Sequence, residues 1–324
     1  PQTFTANEEE LHGTATASVA AAPVNGKGIV GIYPQAKLQL WDASPNGQLT
    51  VGDEVAGLFA AARHGPGVIN LSLGSFEPIP LEQQAIMAAI GAGSLVVAAA
   101  GNERESGSPL AYPASFAHVL TVGASNESDR VTDFSSASPE LDLVAPGENI
   151  MAAIPTIFDP SGYRALDGTS FSAPLVSGAA AAVWTARPKL TNTQLFEIMR
   201  HSARGVGRRG WNADSGFGLL DLPAAAARKA PPPDPQEPND DVYLVKPNGL
   251  TRAEHPPLTS FAKHSVRITY HVERWKDPED VFRAYLPAKG RLVVTVRPGR
   301  ERQPRGLGQA REPSSRRALP RSAT

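Results

Sequence analysis

The sequence of 324 residues contains no cysteine, which excludes disulfides, thiolate metal sites and a cysteine nucleophile. It also lacks any run of about 18 apolar residues, the length that a membrane-spanning helix needs. Neither sign of charge predominates, because 31 Lys and Arg accompany 32 Asp and Glu for a net charge of −1. A strongly basic nucleic-acid-binding protein is therefore not expected. Hydrophobic residues make up 41% of the chain, which is enough for a core, and the length suggests about two domains.

Residues 1–229 alternate between predicted strands and predicted helices. This order is typical of an α/β domain in which a mostly parallel sheet is covered by helices on both faces. The predicted strands span residues 36–41, 67–73, 95–100, 119–124 and 141–145. Helices are predicted from Thr50, over 81–92 and 170–184, and from a capping box at Thr191 and Gln194.

The rest of the chain divides by composition into three parts. Residues 230–241 are rich in proline and predict a semi-rigid linker. Apolar residues recur with a period of two in 242–298, at Val266 and Ile268 and again at Leu292 and Val294, which predicts a small β-sandwich-like module. Residues 299–324 hold seven Arg and two Glu, and we expect a disordered tail. Its charge could tether the protein to an anionic surface, although a terminus with no role is the simpler interpretation.

Three segments carry residues that could do chemistry. Ser170 follows Gly168-Thr169 at the start of a predicted buried helix, where backbone N–H groups and the helix dipole favour a developing oxyanion. A serine nucleophile needs a nearby base, and His12 is a candidate. Asn102 ends an apolar strand, where its amide could donate to an oxyanion. Each signal alone is modest, since such residues also cap helices, fill cores and hold turns.

Taken together and in order, the segments resemble the subtilisin-like serine peptidases (subtilases). The motifs are His-Gly-Thr at 12–14, Ser-Leu-Gly at 72–74, Ala-Ala-Gly-Asn at 99–102 and Gly-Thr-Ser at 168–170. The resemblance covers residues 12 to about 229. It implies a three-layer subtilisin-like fold and a serine endopeptidase that works through an acyl-enzyme.

The resemblance also implies roles for individual residues. Ser170 would be the nucleophile and His12 the general base. The side-chain amide of Asn102 and the backbone N–H of Ser170 would form the oxyanion hole. Substrate backbone would pair with two segments, which consist of Ser72, Leu73 and Gly74 and of Ala99, Ala100 and Gly101.

One departure concerns the triad, which needs an Asp before the His in this family. No Asp precedes His12, and the first Asp of the chain is Asp42, after the strand predicted at 36–41. We expect the Asp-bearing strand to lie upstream of Pro1. Its absence predicts unpaired edges in the sheet and little peptidase activity from this chain.

Two further positions bear on specificity and metal binding. Ala111 stands before Tyr112-Pro113 where the family commonly has Gly, and its methyl would favour modest apolar side chains before the cut. Residues 23–28 resemble a calcium-binding loop of some subtilases, with Asn25 as the ligand, but a tight Asn-Gly turn is the favoured interpretation. Residues 277–280 are likewise read as an acidic turn. No cofactor is expected to be required, and any calcium would be structural.

The C-terminal part resembles the bacterial pre-peptidase C-terminal domains, through Glu237-Pro238, Asp277, Asp280-Val281 and residues 290–294. That resemblance implies help with secretion or with substrate or surface binding. The expected partner is a polypeptide substrate, the expected location is outside the cell, and the oligomeric state stays open. A non-catalytic peptide- or surface-binding protein and a peptide ligase are the alternatives.

Overall fold

The computed structural model describes residues 11–45, 47–207, 210–233, 237–239, 257–268, 276–277, 280–287 and 290–295. The chain divides into two compact units, residues 1–285 and 286–324. The predicted tail at 299–324 lies outside the described residues, as does most of the predicted β module.

The first unit contains six α-helices, one short 3-10 helix (Arg104–Ser106) and six strands in the described residues. The helices are α1 (Leu11–Ala21), α2 (Val51–His64), α3 (Pro80–Gly91), α4 (Thr169–Ala186), α5 (Asn192–Ser202) and α6 (Leu222–Ala227). The strands are β1 (Val68–Leu71), β2 (Leu95–Ala99), β3 (Leu120–Ser125), β4 (Leu143–Pro146), β5 (Ile150–Ala153) and β6 (Tyr163–Leu166).

Four parallel strands form the central sheet in the order β1-β2-β3-β4. Side chains of β2 alternate between its faces, as the period of a strand requires. Leu95 and Val97 pack with α4 and α5, whereas Val96 and Ala98 pack with α2 and α3. The predicted three-layer α/β architecture with a parallel sheet is therefore confirmed.

Small residues allow α4 to lie in the middle of the domain, where it contacts all four strands of the sheet and also α1. A Cβ on Gly178 would lie 2.4 Å from Ile32 Cγ2 and 3.0 Å from the Ala20 carbonyl oxygen. The close approach of α1 to α4 thus requires glycine at this position. This packing of α1 on α4 places His12 near the start of α4.

The strand predicted at 36–41 is wrong. These residues form no ladder, and β1 pairs only with β2, so no strand of the described part lies beside them. Leu40 and Trp41 are mostly exposed. The Trp41 indole N–H donates to the Asp53 carbonyl oxygen at 2.8 Å, which fixes the segment on α2. Alternation of apolar residues makes a strand only where a neighbouring strand offers hydrogen bonds.

The sequence reading missed the antiparallel pair of β5 and β6. Both strands are only four residues long and are separated by nine residues, although Asp159-Pro160-Ser161-Gly162 between them form a turn. The capping box predicted at Thr191 and Gln194 is confirmed at the start of α5. Within the part that the structure describes, no helix is both long and apolar enough to cross a membrane.

Described segments after the linker belong to the first unit as far as residue 285. The Leu258 N–H donates to the Arg283 carbonyl oxygen at 2.8 Å, and the Tyr285 N–H donates to Thr259 Oγ1 at 2.8 Å. These segments thus lie side by side. None of the described residues after 239 is in a strand, so the β-sandwich-like module stays a prediction.

Candidate functional site

Ser170 is the second residue of α4, and the preceding Gly168 lies just before the helix. Gly168 has a φ of +144°, a conformation that other residues rarely adopt. Gly168 is the N-cap residue of α4, and because glycine has no side chain, no side-chain hydrogen bond caps the helix. The Ser170 N–H has no hydrogen-bond partner among the described residues, so it is available to an incoming oxygen.

Pro174 and Ser72 fix the first turn of α4. A proline has no N–H, so Pro174 cannot donate to the carbonyl oxygen of Ser170, four residues earlier. The Ser72 hydroxyl donates to that oxygen instead, at 2.8 Å. Asn70 supports this hydroxyl, because its Nδ2 donates to Ser72 Oγ at 2.9 Å while its Oδ1 accepts from Ser177 in α4 at 3.0 Å.

Two hydrogen bonds from Thr169 set the orientation of the Asn102 side chain. The Thr169 N–H and hydroxyl donate to Asn102 Oδ1 at 2.9 and 3.0 Å. The amide oxygen therefore faces Thr169, and the Nδ2 donor faces the other way. A methyl group built on Gly168 would lie 3.5 Å from Asn102 Nδ2 and 3.7 Å from the Ser170 nitrogen. Two N–H donors thus flank one point next to Ser170.

His12 lies in the first turn of α1, and its ring centroid is 5.9 Å from that of Phe171, the residue after Ser170. Burial lowers the pKa of His12, which keeps the imidazole in its neutral, basic form. No hydrogen bond joins His12 to Ser170 in the described residues, and no carboxylate there is paired with His12. Ser170 Oγ lies instead 3.4 Å from the Ser72 carbonyl oxygen, to which it donates.

The first predicted substrate-binding segment, residues 72–74, follows β1 directly. β1 is the edge strand of the sheet as described, so backbone groups can be added beside it. Just after this segment, Ser75 and Tyr112 exchange two backbone hydrogen bonds of 2.8 Å. Of the three residues, Ser72 contacts Ser170 directly, through the two hydrogen bonds described above.

The second predicted segment, residues 99–101, lies at the end of β2. The Ala100 N–H donates to Val122 in β3, and the Gly101 N–H donates to Thr169 Oγ1 at 3.2 Å. Because these two N–H groups are already bonded within the protein, they are not available to pair with a substrate backbone. The segment lines the space beside Thr169 and Ser170. The segment also lies close to Ala111, because a Cβ built on Gly101 would be 3.6 Å from the Ala111 Cβ.

Thr169 and Glu103 are site residues that the sequence reading missed. Glu103 Oε2 accepts from the Asn102 N–H at 2.7 Å and lies 2.5 Å from a Cβ built on Gly101. Thr169 lies within the Gly-Thr-Ser motif and Glu103 directly follows Asn102, so their polar side chains were the available signal. Their partners, however, are set by tertiary contacts between β2 and α4.

Asn25 forms a tight turn in the structure. Its Oδ1 accepts from the Lys27 N–H at 3.0 Å, and Gly26 and Gly28 have φ values of +75° and +59°. A calcium ion takes six to eight oxygen ligands, yet the one cluster of three imidazole and carboxylate ligands among the described residues lies elsewhere. The Asn25 oxygen is thus already bonded within its own turn, and calcium binding there stays a prediction.

Comparison with known proteins assigns the family. The model of the subtilase family matches residues 2–218. The chain is 36% identical to M-protease of Shouchella clausii over 217 residues, which are 66% of this chain and 54% of that protein. It is also 36% identical to Subtilisin BL of Lederbergia lenta over 215 residues, which are 66% of this chain and 77% of that protein.

A solved structure gives the same result. Fervidolysin from Fervidobacterium pennivorans, described as a keratinolytic enzyme related to subtilisin, is 30% identical with a TM-score of 0.61. The match covers 68% of this chain and 36% of that one. The chain also spans only about half the length of M-protease. Its motifs, its three layers and these matches together show that the chain belongs to the subtilase family of serine peptidases.

Proposed function

We propose that the protein is a serine endopeptidase that hydrolyses peptide bonds through an acyl-enzyme. The observation that supports this most directly is the pair of N–H donors, from Asn102 and Ser170, that lie 3.5 and 3.7 Å from one point beside Gly168, at the start of the helix that carries Ser170. Donors fixed in this way stabilise the oxyanion of a tetrahedral intermediate without having to reorganise.

The mechanism follows from the chemistry of these groups. His12 takes the proton of Ser170 Oγ as the oxygen attacks the substrate carbonyl carbon. The carbonyl oxygen becomes an oxyanion that accepts from Asn102 Nδ2 and the Ser170 N–H. The imidazolium then protonates the leaving amine, and water releases the acyl group by the reverse sequence of proton transfers. These steps require no metal, and a calcium ion at Asn25 would act on stability alone.

We further infer that turnover by this chain is impaired. His12 must move its imidazole within hydrogen-bond reach of Ser170 Oγ, which now faces Ser72. Burial opposes the imidazolium that the reaction forms, and no carboxylate among the described residues stabilises it. The same observation favours the alternative, a protein that binds peptides without cleaving them.

A fluorophosphonate probe distinguishes a catalyst from a binding protein. It reacts with a serine only if that serine is activated by a base. We expect the wild-type protein to be labelled at Ser170, a Ser170→Ala variant to lose labelling, and a matched Ser161→Ala variant at an exposed turn to keep it. Peptide mapping of the labelled protein identifies the site. Absence of labelling together with retained peptide binding would favour the non-catalytic alternative.

Asn102→Asp tests the oxyanion hole separately from the fold. Aspartate keeps the acceptor oxygen that Thr169 holds but replaces the Nδ2 donor by an anionic oxygen. We expect kcat to fall about 100- to 1,000-fold with little change in KM, the size established for removal of such a donor in a subtilisin. Asn126→Asp is the matched control, because Asn126 Oδ1 likewise accepts two hydrogen bonds, both from backbone N–H groups. An equal loss in both variants would contradict the assignment.

Ala111→Gly tests the specificity predicted from the sequence. A Cβ built on Gly101 would lie 3.6 Å from the Ala111 Cβ, so removing the Ala111 methyl would enlarge the space that we propose for the side chain before the cleaved bond. We expect the kcat/KM ratio of Phe to Ala at that substrate position to rise about 10-fold. Ala117 packs instead against the core between the sheet and α2 and α3. Ala117→Gly should therefore leave the ratio unchanged. A substrate library in which the unaltered protein already prefers Phe or Tyr would refute the prediction.

We propose that the substrates are extended, accessible polypeptides, since an added strand beside residues 72–74 requires that conformation. A location outside the cell is proposed from the family resemblance and the C-terminal resemblance. The domain bounds 1–229, 230–241, 242–298 and 299–324 also stay proposals.

A further inference from the structure

Asn70 is a polar side chain within a strand that packs against a helix. It belongs to β1 and lies opposite Val97 of β2 in the parallel ladder. Side chains alternate along a strand, so Asn70 shares the face of Val68, which packs with the α4 core, while Ile69 packs with the core on the other face. Asparagine is depleted in strands, and an amide packed against a helix costs free energy unless it is hydrogen-bonded. The hydrogen-bond partners of Asn70 therefore explain its presence in β1.

Both ends of the Asn70 amide are hydrogen-bonded. Its Nδ2 donates to Ser72 Oγ at 2.9 Å, and its Oδ1 accepts from the hydroxyl of Ser177 at 3.0 Å. Ser177 is buried in α4. A serine hydroxyl has one proton to donate. Because Ser72 Oγ accepts from Asn70, its own proton is directed elsewhere, and it donates to the Ser170 carbonyl oxygen at 2.8 Å.

The orientation of the Asn70 amide decides where the proton of Ser72 points. Ser177 donates to the oxygen end of the amide and holds it toward α4, which leaves the nitrogen end for Ser72. With the amide turned round, its oxygen would accept from Ser72 and take the proton away from the Ser170 carbonyl group. The hydrogen bond from Ser72 to Ser170 thus depends on both Asn70 and Ser177.

These hydrogen bonds tie two separate turns of α4 to one strand of the sheet. Ser170 and Ser177 are seven residues apart, which is about 10 Å along a helix. Pro174 lies between them and has no N–H to donate to the Ser170 carbonyl oxygen. β1 is in turn held by its ladder to β2. The backbone of Ser170 is therefore held from the sheet, at the point where its own helix cannot hold it.

Both the backbone and the side chain of Ser170 contact Ser72. The Ser170 carbonyl oxygen accepts from the Ser72 hydroxyl, and Ser170 Oγ donates to the Ser72 carbonyl oxygen at 3.4 Å. The hydrogen bonds of the Asn70 side chain described above run to Ser72 and Ser177, so any effect on Ser170 passes through these two residues. A displacement of a reacting group by about 1 Å can lower a rate about 100-fold.

We propose that Asn70 is a positioning residue, which acts through the Ser72 hydroxyl to hold the backbone of Ser170 in the orientation that nucleophilic attack requires. This role rests on the proposed function, because it concerns the reactivity of Ser170. Ser177 supports the same role by fixing the orientation of the Asn70 amide. Loss of Asn70 should therefore slow the reaction at Ser170 without weakening the binding that precedes it.

The rate at which an alkyl fluorophosphonate labels the full chain tests the proposal. Asn70→Leu keeps a side chain of similar size but removes both the donor and the acceptor. We expect the labelling rate at saturating probe to fall about 10-fold, the factor that corresponds to one lost hydrogen bond. The probe concentration at half-saturation should stay the same within about twofold.

Asn192→Leu is the matched control. Asn192 Nδ2 donates to the carbonyl oxygens of Ile90 and Ser94, both at 2.9 Å, before the start of β2. The Asn192→Leu variant should therefore lose stability, which its Tm measures, and keep the labelling rate of the wild type. Ser177→Ala is a second, milder variant, because alanine is the best helix former. It should also slow labelling, and by less than Asn70→Leu does, because it keeps the donor but frees the amide to turn.

A double variant distinguishes positioning from general support of the fold. If Asn70 acts through Ser72, the Asn70→Leu/Ser72→Ala variant should be labelled as fast as Ser72→Ala alone, whereas independent effects would multiply. Multiplied effects, or a wild-type rate in Asn70→Leu, would overturn the positioning role and leave the proposed function intact. If Asn70→Leu does not fold, a wild-type rate in Ser177→Ala overturns it. Absence of labelling in the wild type would overturn both proposals.

Discussion

Addition of an upstream segment that places an Asp beside His12 is expected to raise peptide hydrolysis by this chain about 10,000-fold. The carboxylate of a triad holds the imidazole in the correct tautomer and stabilises the imidazolium, and its loss costs a factor of this size. His12 has no carboxylate partner in the described part of the chain. Its pKa is lowered by burial, which opposes the charged form that the reaction needs.

The measurement compares kcat/KM on a peptide substrate for three proteins. These are the present chain, a longer version with an Asp-Ser/Thr-Gly after an apolar strand, and the same version with that Asp replaced by Asn. Only the Asp version should show the gain. The acid limb of its plot of kcat/KM against pH should also move to higher pH, since an adjacent carboxylate raises the pKa of His12. Full activity of the present chain, or an equal gain in the Asn version, would disprove the prediction.

The second large effect is a loss of stability with rising pH, caused by two buried carboxyl groups. Glu54 in α2 and Glu82 in the first turn of α3 are 6% and 2% exposed. Burial, followed by the charge of Glu82 and a hydrogen bond to it, raises the pKa of Glu54 to about 8. Burial also raises the pKa of Glu82. No cation is ion-paired with either carboxyl in the described residues.

The direction follows from proton binding. Between about pH 4.5 and 8 the folded protein holds a proton on Glu54 that the unfolded chain has released. The free energy of unfolding therefore falls as pH rises through this range, by up to about 5 kcal/mol for a shift of this size. Glu54→Gln removes the titration and keeps the shape, so we expect the variant to be more stable than the wild type at pH 8.

Urea unfolding of wild type and Glu54→Gln at a series of pH values measures this effect. The difference between the two proteins isolates the contribution of Glu54, because both proteins contain His12. The contribution of His12 has the opposite dependence on pH. The pKa of His12 is lowered, so its contribution to stability is lost as pH falls. Glu127→Gln, at an exposed turn, is the control with the same chemical change. The prediction fails if Glu54→Gln keeps the slope of the wild type.

The sequence was sufficient to predict the elements that are buried on all sides. The continuous apolar runs of β2 and β3 and the small residues of α4 leave little choice of conformation. It failed for residues 36–41, because a strand depends on a neighbour that alternation alone does not reveal. The pairing of Glu54 with Glu82 was equally hidden, since it arises from the packing of α2 on α3.

For the site, motifs placed Ser170, His12 and Asn102 together, but not their orientations. Which face of the Asn102 amide meets a substrate is decided by Thr169, and the direction of the Ser170 hydroxyl is decided by Ser72. These are contacts between side chains and distant backbone groups. They have no signature in residue spacing.

Under the roles proposed above, the Ser72 hydroxyl, which replaces the missing N–H of Pro174, couples specificity to rate. Ser72 belongs to the segment proposed to receive substrate, yet it also holds the carbonyl group of the proposed nucleophile. A substitution at Ser72 intended to change peptide preference would therefore also displace Ser170. Engineering of the cleft should keep Ser72 and vary Leu73, since the hydrogen bonds to α4 run through Ser72 and Asn70.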